Sequence, residues 1–282
     1  MLRRLTIAAA VAAATIAGVA LASEGLAPKD VSFSFDSPLG SYDMGAVQRG
    51  FQVYAQICSN CHSMDHLSYR NLGEPGGPFA VYAVRNHQTG ETENRVGLPA
   101  GEHGQYVDVV NNPYVRAIAA NVQVPDTDQS TGEAIQRAGR ISDHFRRPFA
   151  NDIAARAANN GALPPDLSVI TLARNNGAHY IYSVLTGYTG EMRGAQYVNE
   201  YFPGGLISMP PPLAGDDLVS YADHTRATRD QMARDVTTFL QWAGDPHMVE
   251  RKAMGVQVIA FLLVLSGLLY LAYRAVWRGQ SH

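Results

Sequence analysis

Two cysteines and a histidine stand together early in the sequence, as Cys58-Ser59-Asn60-Cys61-His62. The pattern C-x-x-C-H is the attachment signature of c-type haem. Two thiols one helical turn apart can reach both vinyl groups of one porphyrin, and the adjacent imidazole then points at the iron. The motif therefore predicts one haem c, bound covalently through Cys58 and Cys61, with His62 as an iron ligand.

Two other interpretations of the cysteine pair stay open at this point. A thioredoxin-like redox pair would begin a helix after a strand, whereas this motif ends an amphipathic stretch. A zinc site would need two more ligands, and the chain has no further cysteine, although its nine histidines supply candidates. Haem c is the interpretation that uses all three residues of the motif.

The sixth ligand of the iron decides what such a haem does, because methionine or histidine there gives electron transfer and an open position gives ligand binding or peroxidase chemistry. Met209 is the strongest candidate, since Ile207 and three following prolines place it on a stiff apolar loop. Met192, in a polar loop, is the alternative. The other methionines considered are too close to His62, on an apolar helical stripe, or at the apolar C-terminal stretch: Met64, Met232, Met248 and Met254.

Helices are expected to position these groups. The sequence has no convincing run of alternating apolar and polar residues that would predict a strand, so the expected fold class is mainly α. A stripe from Val47 to Cys61, at intervals of four and three residues, predicts a helix from Ser41 to His62 that Ser41 or Asp43 caps. Asn112-Pro113 predicts an N-cap followed by proline at the first helical position. Thr228 and Gln231 have capping-box spacing before a helix that ends near Gly244. Shorter helices are expected at 151–159, 166–175 and 178–187.

The two ends of the chain predict export and a membrane anchor. Residues 1–22 run from Arg3 and Arg4 through an apolar stretch to small residues, which is the order of a cleaved signal peptide. Residues 253–273 carry no charge and span roughly 30 Å as a helix. We therefore expect a periplasmic domain at 23–248, a single transmembrane helix at 249–275 and a cytoplasmic tail at 276–282 in the cell membrane. The Gly/Pro-rich stretch 73–107 is expected to be a surface loop or insertion.

Composition excludes several classes of protein. With 46% hydrophobic residues the chain can bury a core, and a net charge of −3 gives none of the basic excess of a nucleic-acid binder. Removal of residues 1–22 deletes two arginines and no acid, which leaves 20 basic and 25 acidic residues. A mildly acidic exported body favours a basic docking partner. Asp216, Asp217 and Asp223 are candidate docking residues, but equally ordinary surface.

Several longer motifs resemble the cytochrome c1 family, in order, over most of the chain. They are Arg49-Gly50-Phe51-Gln52-Val53-Tyr54, the haem motif, residues 154–168 with Pro164-Pro165-Asp166-Leu167-Ser168, Leu185-Thr186-Gly187-Tyr188, residues 201–205, and Met209-Pro210-Pro211-Pro212-Leu213. The resemblance implies a class I cytochrome c-type core with insertions. It also implies that His62 and Met209 are the axial ligands.

The same resemblance implies a set of haem contacts. Arg174 and Tyr180 should hydrogen-bond a propionate, and the haem pocket should be lined by Asn159, Ala162, Pro164, Pro165, Ile170, Phe202 and Ile207. Nothing can be carried over to the 73–107 insertion.

The function implied by the family is electron transfer within the membrane-bound cytochrome bc1 complex, a dimeric assembly. The chain would take one electron from the Rieske iron–sulfur protein and pass it to a soluble c-type cytochrome. It would bind cytochrome b and the lipid bilayer. It would not be an enzyme by itself. An exported haem peroxidase with an open sixth site and a stand-alone anchored mono-haem carrier are the alternatives.

Overall fold

A computed structural model describes residues 25–86, 88–97 and 104–279 of the chain. The predicted signal peptide, the last three residues of the predicted tail and part of the predicted insertion lie outside these described residues. The described part contains a mainly helical domain followed by one long apolar helix.

Two crossing helices form the centre of the domain. Helix α1 covers Met44–Gln56 and helix α5 covers Arg229–Gly244. They approach so closely at Gly50 that a Cβ there would lie 2.0 Å from the carbonyl oxygen of Asp235, so only glycine fits the crossing. The Asp43 side chain caps α1 by accepting from the Ala46 N–H, which confirms one of the two predicted caps.

Aromatic side chains fill the space around this crossing. The Phe51 and Phe239 rings pack edge to face with centroids 5.7 Å apart, and Tyr54 stacks on Phe145 at 5.9 Å. The Trp242 ring stacks on Phe239, and its indole N–H donates to the Gly76 carbonyl. Such pairs add about 0.5–1.5 kcal/mol each beyond the burial of their area. The rings therefore fix α1, and with it the haem motif that follows α1, against the C-terminal half of the domain.

Most of the other predicted helices are confirmed. Helix α2 covers Pro113–Ala120, and the Asn112 side chain caps it as predicted. Helices α3 and α4 cover Asp152–Ala158 and Gly177–Thr186. The Thr228 hydroxyl caps α5 by accepting from the Gln231 N–H.

Two helix predictions need correction. The helix predicted for 41–62 ends at Gln56, and a separate 3₁₀ turn covers Cys58–Asn60. The helix predicted for 166–175 is wrong, because this segment forms turns. Its start is held by another part of the chain, since the Leu167 N–H donates to the Ser63 carbonyl.

Within the described residues, strands that the sequence pattern did not reveal form three small antiparallel sheets. Their orders are β2-β1-β3, β4-β5 and β6-β7-β8. The strands are β1 Val81–Arg85, β2 Thr92–Val96, β3 Gln105–Val107, β4 Gln123–Thr127, β5 Ala134–Ala138, β6 Tyr188–Arg193, β7 Gln196–Asn199 and β8 Leu206–Ile207. The first sheet lies within 73–107, so the described part of that stretch is not merely a loop. Strand β2 is exposed on both faces over most of its length, which explains why no apolar alternation marks it.

The last helix, α6, covers Met248–Val276 and confirms the predicted apolar helix. Its most apolar stretch has a mean hydropathy of 2.2 and none of that stretch is buried. A core helix would be covered by the domain, whereas this one stands clear of it. The helix is long and apolar enough to cross a membrane.

Candidate haem-binding site

Cys58 begins the 3₁₀ turn that follows α1, and Cys61 is the residue directly after that turn. The N–H groups of Cys61 and His62 both donate to the Cys58 carbonyl, at 3.1 and 2.9 Å, so the motif is a compact turn. Cys58 is half-buried and Cys61 is exposed. Burial raises the pKa of the Cys58 thiol to about 12, and the neighbouring Cys61 adds to this. A redox-active pair needs a thiol with a lowered pKa, so the thioredoxin-like interpretation is disfavoured.

The zinc interpretation also loses support. Across the part of the chain that the structure describes, no group of three or more His, Cys, Asp or Glu side chains is arranged to hold a metal ion. A structural zinc needs four such ligands in a tetrahedral shell. The motif residues therefore lack the partners that a zinc site requires.

His62 is oriented by a backbone carbonyl far away in the sequence. Its Nδ1 lies 2.8 Å from the carbonyl oxygen of Pro165. A carbonyl can only accept, so Nδ1 carries the proton and the lone pair of the neutral ring is on Nε2. Burial lowers the pKa of His62, while the bond to Pro165 and the charge of Asp166 oppose that shift. The neutral imidazole is the form that binds a metal, and a hydrogen bond from the second ring nitrogen is the usual way to orient such a ligand.

The segment that supplies this carbonyl is fastened to the haem motif by Asp166. Its carboxylate accepts from the Ser63 hydroxyl, the Asp65 N–H and the Ser168 N–H, each at 2.8 Å. Burial alone raises the pKa of Asp166, but the hydrogen bonds outweigh it and the pKa is lowered. The Ser168 hydroxyl also accepts from the His66 N–H at 3.1 Å. Residues 63–66 and 165–168 are thus joined side by side, which holds Pro165 next to His62.

Met209 lies on a loop that a short sheet supports. Strand β8 ends at Ile207 and pairs with β7, and Met209 follows two residues later. The Tyr188 hydroxyl donates to the Met209 carbonyl oxygen at 3.0 Å. Burial raises the pKa of Tyr188, so this donor stays protonated. The loop is therefore held by the pairing of β8 with β7 before Met209 and by the Tyr188 hydrogen bond at Met209 itself.

The other methionines have different surroundings. Met64 and Met232 are fully buried in the core, as expected for packing residues. Met192 lies in β6 with 55% of its surface exposed, rather than in the polar loop that the sequence suggested. Met248 is buried at the start of α6 and Met254 is exposed on that helix. Of the methionines considered as iron ligands, Met209 is the one that is half-buried, and its loop is held in place by hydrogen bonds.

The predicted wall residues fall into two groups. Around the end of α3, Asn159 is the C-cap and donates through Nδ2 to the Ala155 carbonyl at 2.7 Å, and the Ala162 N–H donates to the Asn159 carbonyl at 3.0 Å. Pro164 is half-buried and Pro165 is exposed apart from its bond to His62. In the second group, Ile170 and Ile207 are buried, and Phe202 is half-buried before a 3₁₀ turn at Pro203–Gly205.

Arg174 and Tyr180 share one neighbourhood. Arg174 is exposed, and its guanidinium donates to the adjacent Ala173 carbonyl at 3.2 Å. It forms no ion pair with any carboxylate of the described residues. Tyr180 is half-buried on α4, where burial raises its pKa and the charge of Arg174 opposes the shift. A guanidinium that forms no ion pair and lies near a phenol can bind an external carboxylate by charge-assisted hydrogen bonds.

This set of groups fits a c-type haem. Two thiols, a neutral imidazole with Nε2 free, a thioether on an anchored loop and apolar side chains are the donors and surroundings that such a haem needs. Sequence reasoning had assigned no role to Ser63, Asp166, Ser168 or Tyr188, although all four stand inside or beside the quoted motifs. Their positioning contacts join residues about one hundred positions apart, or 21 apart for Tyr188, so no local signal marks them.

Comparisons with known proteins identify relatives over almost the whole chain. Residues 33–280 match the Cytochrome C1 family. The chain is 37% identical to "Cytochrome c1" of Rhodospirillum rubrum, with all of this chain and 99% of that protein covered. It is 40% identical to "Cytochrome c1 1, heme protein, mitochondrial" of Arabidopsis thaliana, over 92% of this chain and 74% of that protein. It is also 37% identical to "Cytochrome b/c1" of Bradyrhizobium diazoefficiens, over 90% of this chain and 36% of that longer protein.

These matches span nearly the whole length of the chain, well beyond the five residues of the haem motif. The chain has two cysteines in all, and both belong to that motif. The chain therefore belongs to the cytochrome c1 family, with Cys58 and Cys61 as the attachment points of its covalently bound haem c.

Proposed function

We propose that this chain is the haem-bearing electron-transfer subunit of a cytochrome bc1 complex, taking one electron from the Rieske iron–sulfur protein and passing it to a soluble c-type cytochrome. The observation that carries the proposal is the bond from His62 Nδ1 to the Pro165 carbonyl, which prepares Nε2 to bind iron beside the two cysteines. The bound haem supplies reversible one-electron chemistry. The chain by itself performs no bond-making step, so it is a subunit and not an enzyme.

In this proposal His62 and Met209 would be the two iron ligands that the protein supplies. Asp166 holds the His62 side through its bonds to residues 63–65, and Tyr188 holds the Met209 side through the Met209 carbonyl. These hydrogen bonds would keep both ligands in place on the protein side of the haem. A thioether ligand in apolar surroundings raises the reduction potential, which suits a carrier late in a respiratory chain.

The remaining residues hold the macrocycle. Arg174 and Tyr180 bind a propionate, because the guanidinium is exposed and has no competing carboxylate among the described residues. The wall against the ring is formed by Asn159, Ala162, Pro164, Pro165, Ile170, Phe202 and Ile207.

Helix α6 places the domain at a membrane surface. We infer a single-pass protein in the cell membrane, with the signal peptide directing the haem domain to the periplasm and the short tail left in the cytoplasm. Cytochrome b is the proposed partner within the bilayer, in a dimeric complex. The name "Cytochrome b/c1" of the Bradyrhizobium relative supports this partner, since that protein carries both names on one chain.

Two measurements test the proposal. Absorption spectra of the reduced and oxidised protein should show a low-spin c-type haem, and reduced protein should bind carbon monoxide slowly or not at all at neutral pH. Rapid binding would indicate an open sixth position and a peroxidase-like role. Purification in mild detergent should yield the chain together with cytochrome b and the Rieske protein, whereas recovery of the chain alone would indicate a stand-alone carrier.

A further inference from the structure

Lys252 is the last charged residue before the apolar part of α6, and three backbone carbonyls hold it. Lys252 Nζ donates to the carbonyl oxygens of Phe35 at 2.6 Å, Ser37 at 2.8 Å and Gly40 at 3.4 Å. An ammonium group has three donors, so all three are used. Lys252 is thereby bound to a loop more than 200 residues away, and is not simply a solvated charge at the membrane surface.

The loop that supplies these carbonyls is tightly folded before Lys252 is considered. The Phe33 N–H donates to Asp36 Oδ2 at 2.7 Å, and the Gly40 N–H donates to the Ser37 carbonyl at 2.9 Å. A Cβ on Gly40 would lie 2.5 Å from the Ser34 carbonyl oxygen. The hydrogen bonds within the loop make the three carbonyls converge, and these bonds do not involve Lys252. The ammonium group therefore binds at a site that the loop itself forms.

The same loop is attached firmly to the haem domain. Phe33 is buried, stacks on Phe35 at 4.9 Å and packs edge to face on Tyr182 of α4 at 6.3 Å. Just upstream, the Lys29 N–H donates to the Ser183 hydroxyl at 2.8 Å. Helix α4 also carries Tyr180, one of the proposed propionate ligands. Lys252 is thus connected through one loop to the helix beside the haem site.

The direct connection between the domain and α6 is short, and an ion pair between Arg251 and Asp245 spans it. Helix α5 ends at Gly244 and α6 begins at Met248, so three residues form the joint. Hinges in proteins are commonly formed by a few such residues at the ends of elements. Tyr42 restrains one side of the joint, because its hydroxyl donates to the carbonyls of Gln241 and Asp245 at 3.2 and 2.9 Å. Lys252 restrains the other side, one turn into α6.

We propose that Lys252 is a positioning residue that fixes the tilt of the haem domain on its membrane anchor, and hence the orientation of the haem plane relative to the bilayer. The proposal rests on haem attachment and membrane insertion, and it goes beyond the electron-transfer role proposed above. Electron transfer depends on where the haem stands relative to fixed partners. A restrained joint keeps that position constant without help from another subunit.

The test uses the full-length, haem-loaded chain reconstituted alone in oriented phospholipid multilayers. Electron paramagnetic resonance of the ferric haem, recorded as the sample is rotated, reports the spread of haem orientations. The Lys252→Met variant keeps most of the apolar stem and removes the ammonium. We expect its angular spread to broaden by about twofold, since relative motion is the default for domains joined by a small interface. The absorption spectrum and reduction potential should not change.

His247→Gln is the matched control, because His247 lies in the same joint, is exposed and contacts Glu250 rather than the loop. His247→Gln should show the same spread of haem orientations as the wild type. Lys252→Arg should show a narrower spread than Lys252→Met. Gly40→Ala tests the same contact from the loop side and should broaden the spread with Lys252 intact. If both Lys252→Met and Gly40→Ala orient as sharply as the wild type, the proposal is wrong. This outcome is independent of whether cytochrome b co-purifies.

Discussion

The Tyr188 hydroxyl lies 3.0 Å from the carbonyl oxygen of Met209 and donates a hydrogen bond to it. Tyr188 begins β6, and Met209 follows β8 at the other side of the same sheet. The bond therefore ties the proposed thioether ligand to the sheet through its backbone, and leaves the side chain free to bind. This relationship makes Met209 part of a supported loop even though the strand before it has only two residues.

Loss of this support should weaken the iron–sulfur bond without removing it. We expect Tyr188→Phe to cost about 1 kcal/mol, equivalent to about fivefold more of the form with the thioether detached, because one hydrogen bond is lost. The far-red charge-transfer band of the ferric protein, followed with temperature, measures that fraction. Tyr197→Phe is the control, since the Tyr197 hydroxyl makes no hydrogen bond within the described residues. Equal melting of the band in both variants would contradict the prediction.

Removal of the thioether itself should have a larger effect. Met209→Ala should lower the reduction potential by on the order of 100 mV, within the roughly 0.8 V that axial ligands control, and leave the haem attached at Cys58 and Cys61. The reduced variant should also bind carbon monoxide rapidly. Potentiometric titration of the full-length protein is the measurement, with Met192→Ala as the control because Met192 is exposed. An unchanged potential in Met209→Ala would point to Met192 or a histidine as the ligand.

The Asp166 carboxylate should make the His62 side of the site sensitive to acid. Its pKa is lowered in the folded protein, so its contribution to stability is present above the unfolded value of about 3.9 and is lost as the pH falls through the folded pKa. The side chain of the Asp166→Asn variant cannot ionise. We therefore expect this variant to have a lower free energy of unfolding than the wild type at pH 7, and to lose less of it as the pH falls below about 5. Thermal unfolding of the haem-loaded protein from pH 7 to pH 3 measures this. Asp30→Asn, at an exposed position, should follow the wild-type curve.

At the ion pair of the helix crossing, the buried Asp235 should be more costly to replace than the exposed Asp223. Asp235 is fully buried and accepts from Arg49 Nε at 3.0 Å and from Gln231 at 3.0 Å, while Arg49 also contacts Asp223 at 2.7 Å. Asp235→Asn should lower the free energy of unfolding by about 3 kcal/mol, because the largely buried Arg49 loses its buried carboxylate and the exposed Asp223 offsets only part of that charge. Asp223→Asn removes an exposed partner and should cost at most about 1 kcal/mol. Denaturant unfolding distinguishes them, and equal losses would contradict this assignment.

Local sequence signals predicted the ends of several elements correctly. Asp43, Asn112 and Thr228 cap the helices that their spacing indicated, because a cap involves only the two or three following N–H groups. The apolar run that became α6 was equally clear, since length and composition alone decide whether a helix can cross a bilayer. The three sheets of the described residues were missed because their strands are only two to six residues long, and because β2, β5 and β6 are exposed over most of their length and show no apolar alternation.

The sequence by itself determined the haem chemistry, since Cys58, Cys61 and His62 are adjacent and their spacing is a local property of one turn. It also predicted Met209 as the second iron ligand, through the prolines beside it and the family resemblance. Only the tertiary structure decided how His62 is oriented, because Pro165 and Asp166 stand about one hundred residues away and nothing in either segment encodes the other. The same holds for Lys252, whose three carbonyl partners converge only after the N-terminal loop has folded against α4. Contacts between distant segments are products of packing, and packing is a property of the whole chain.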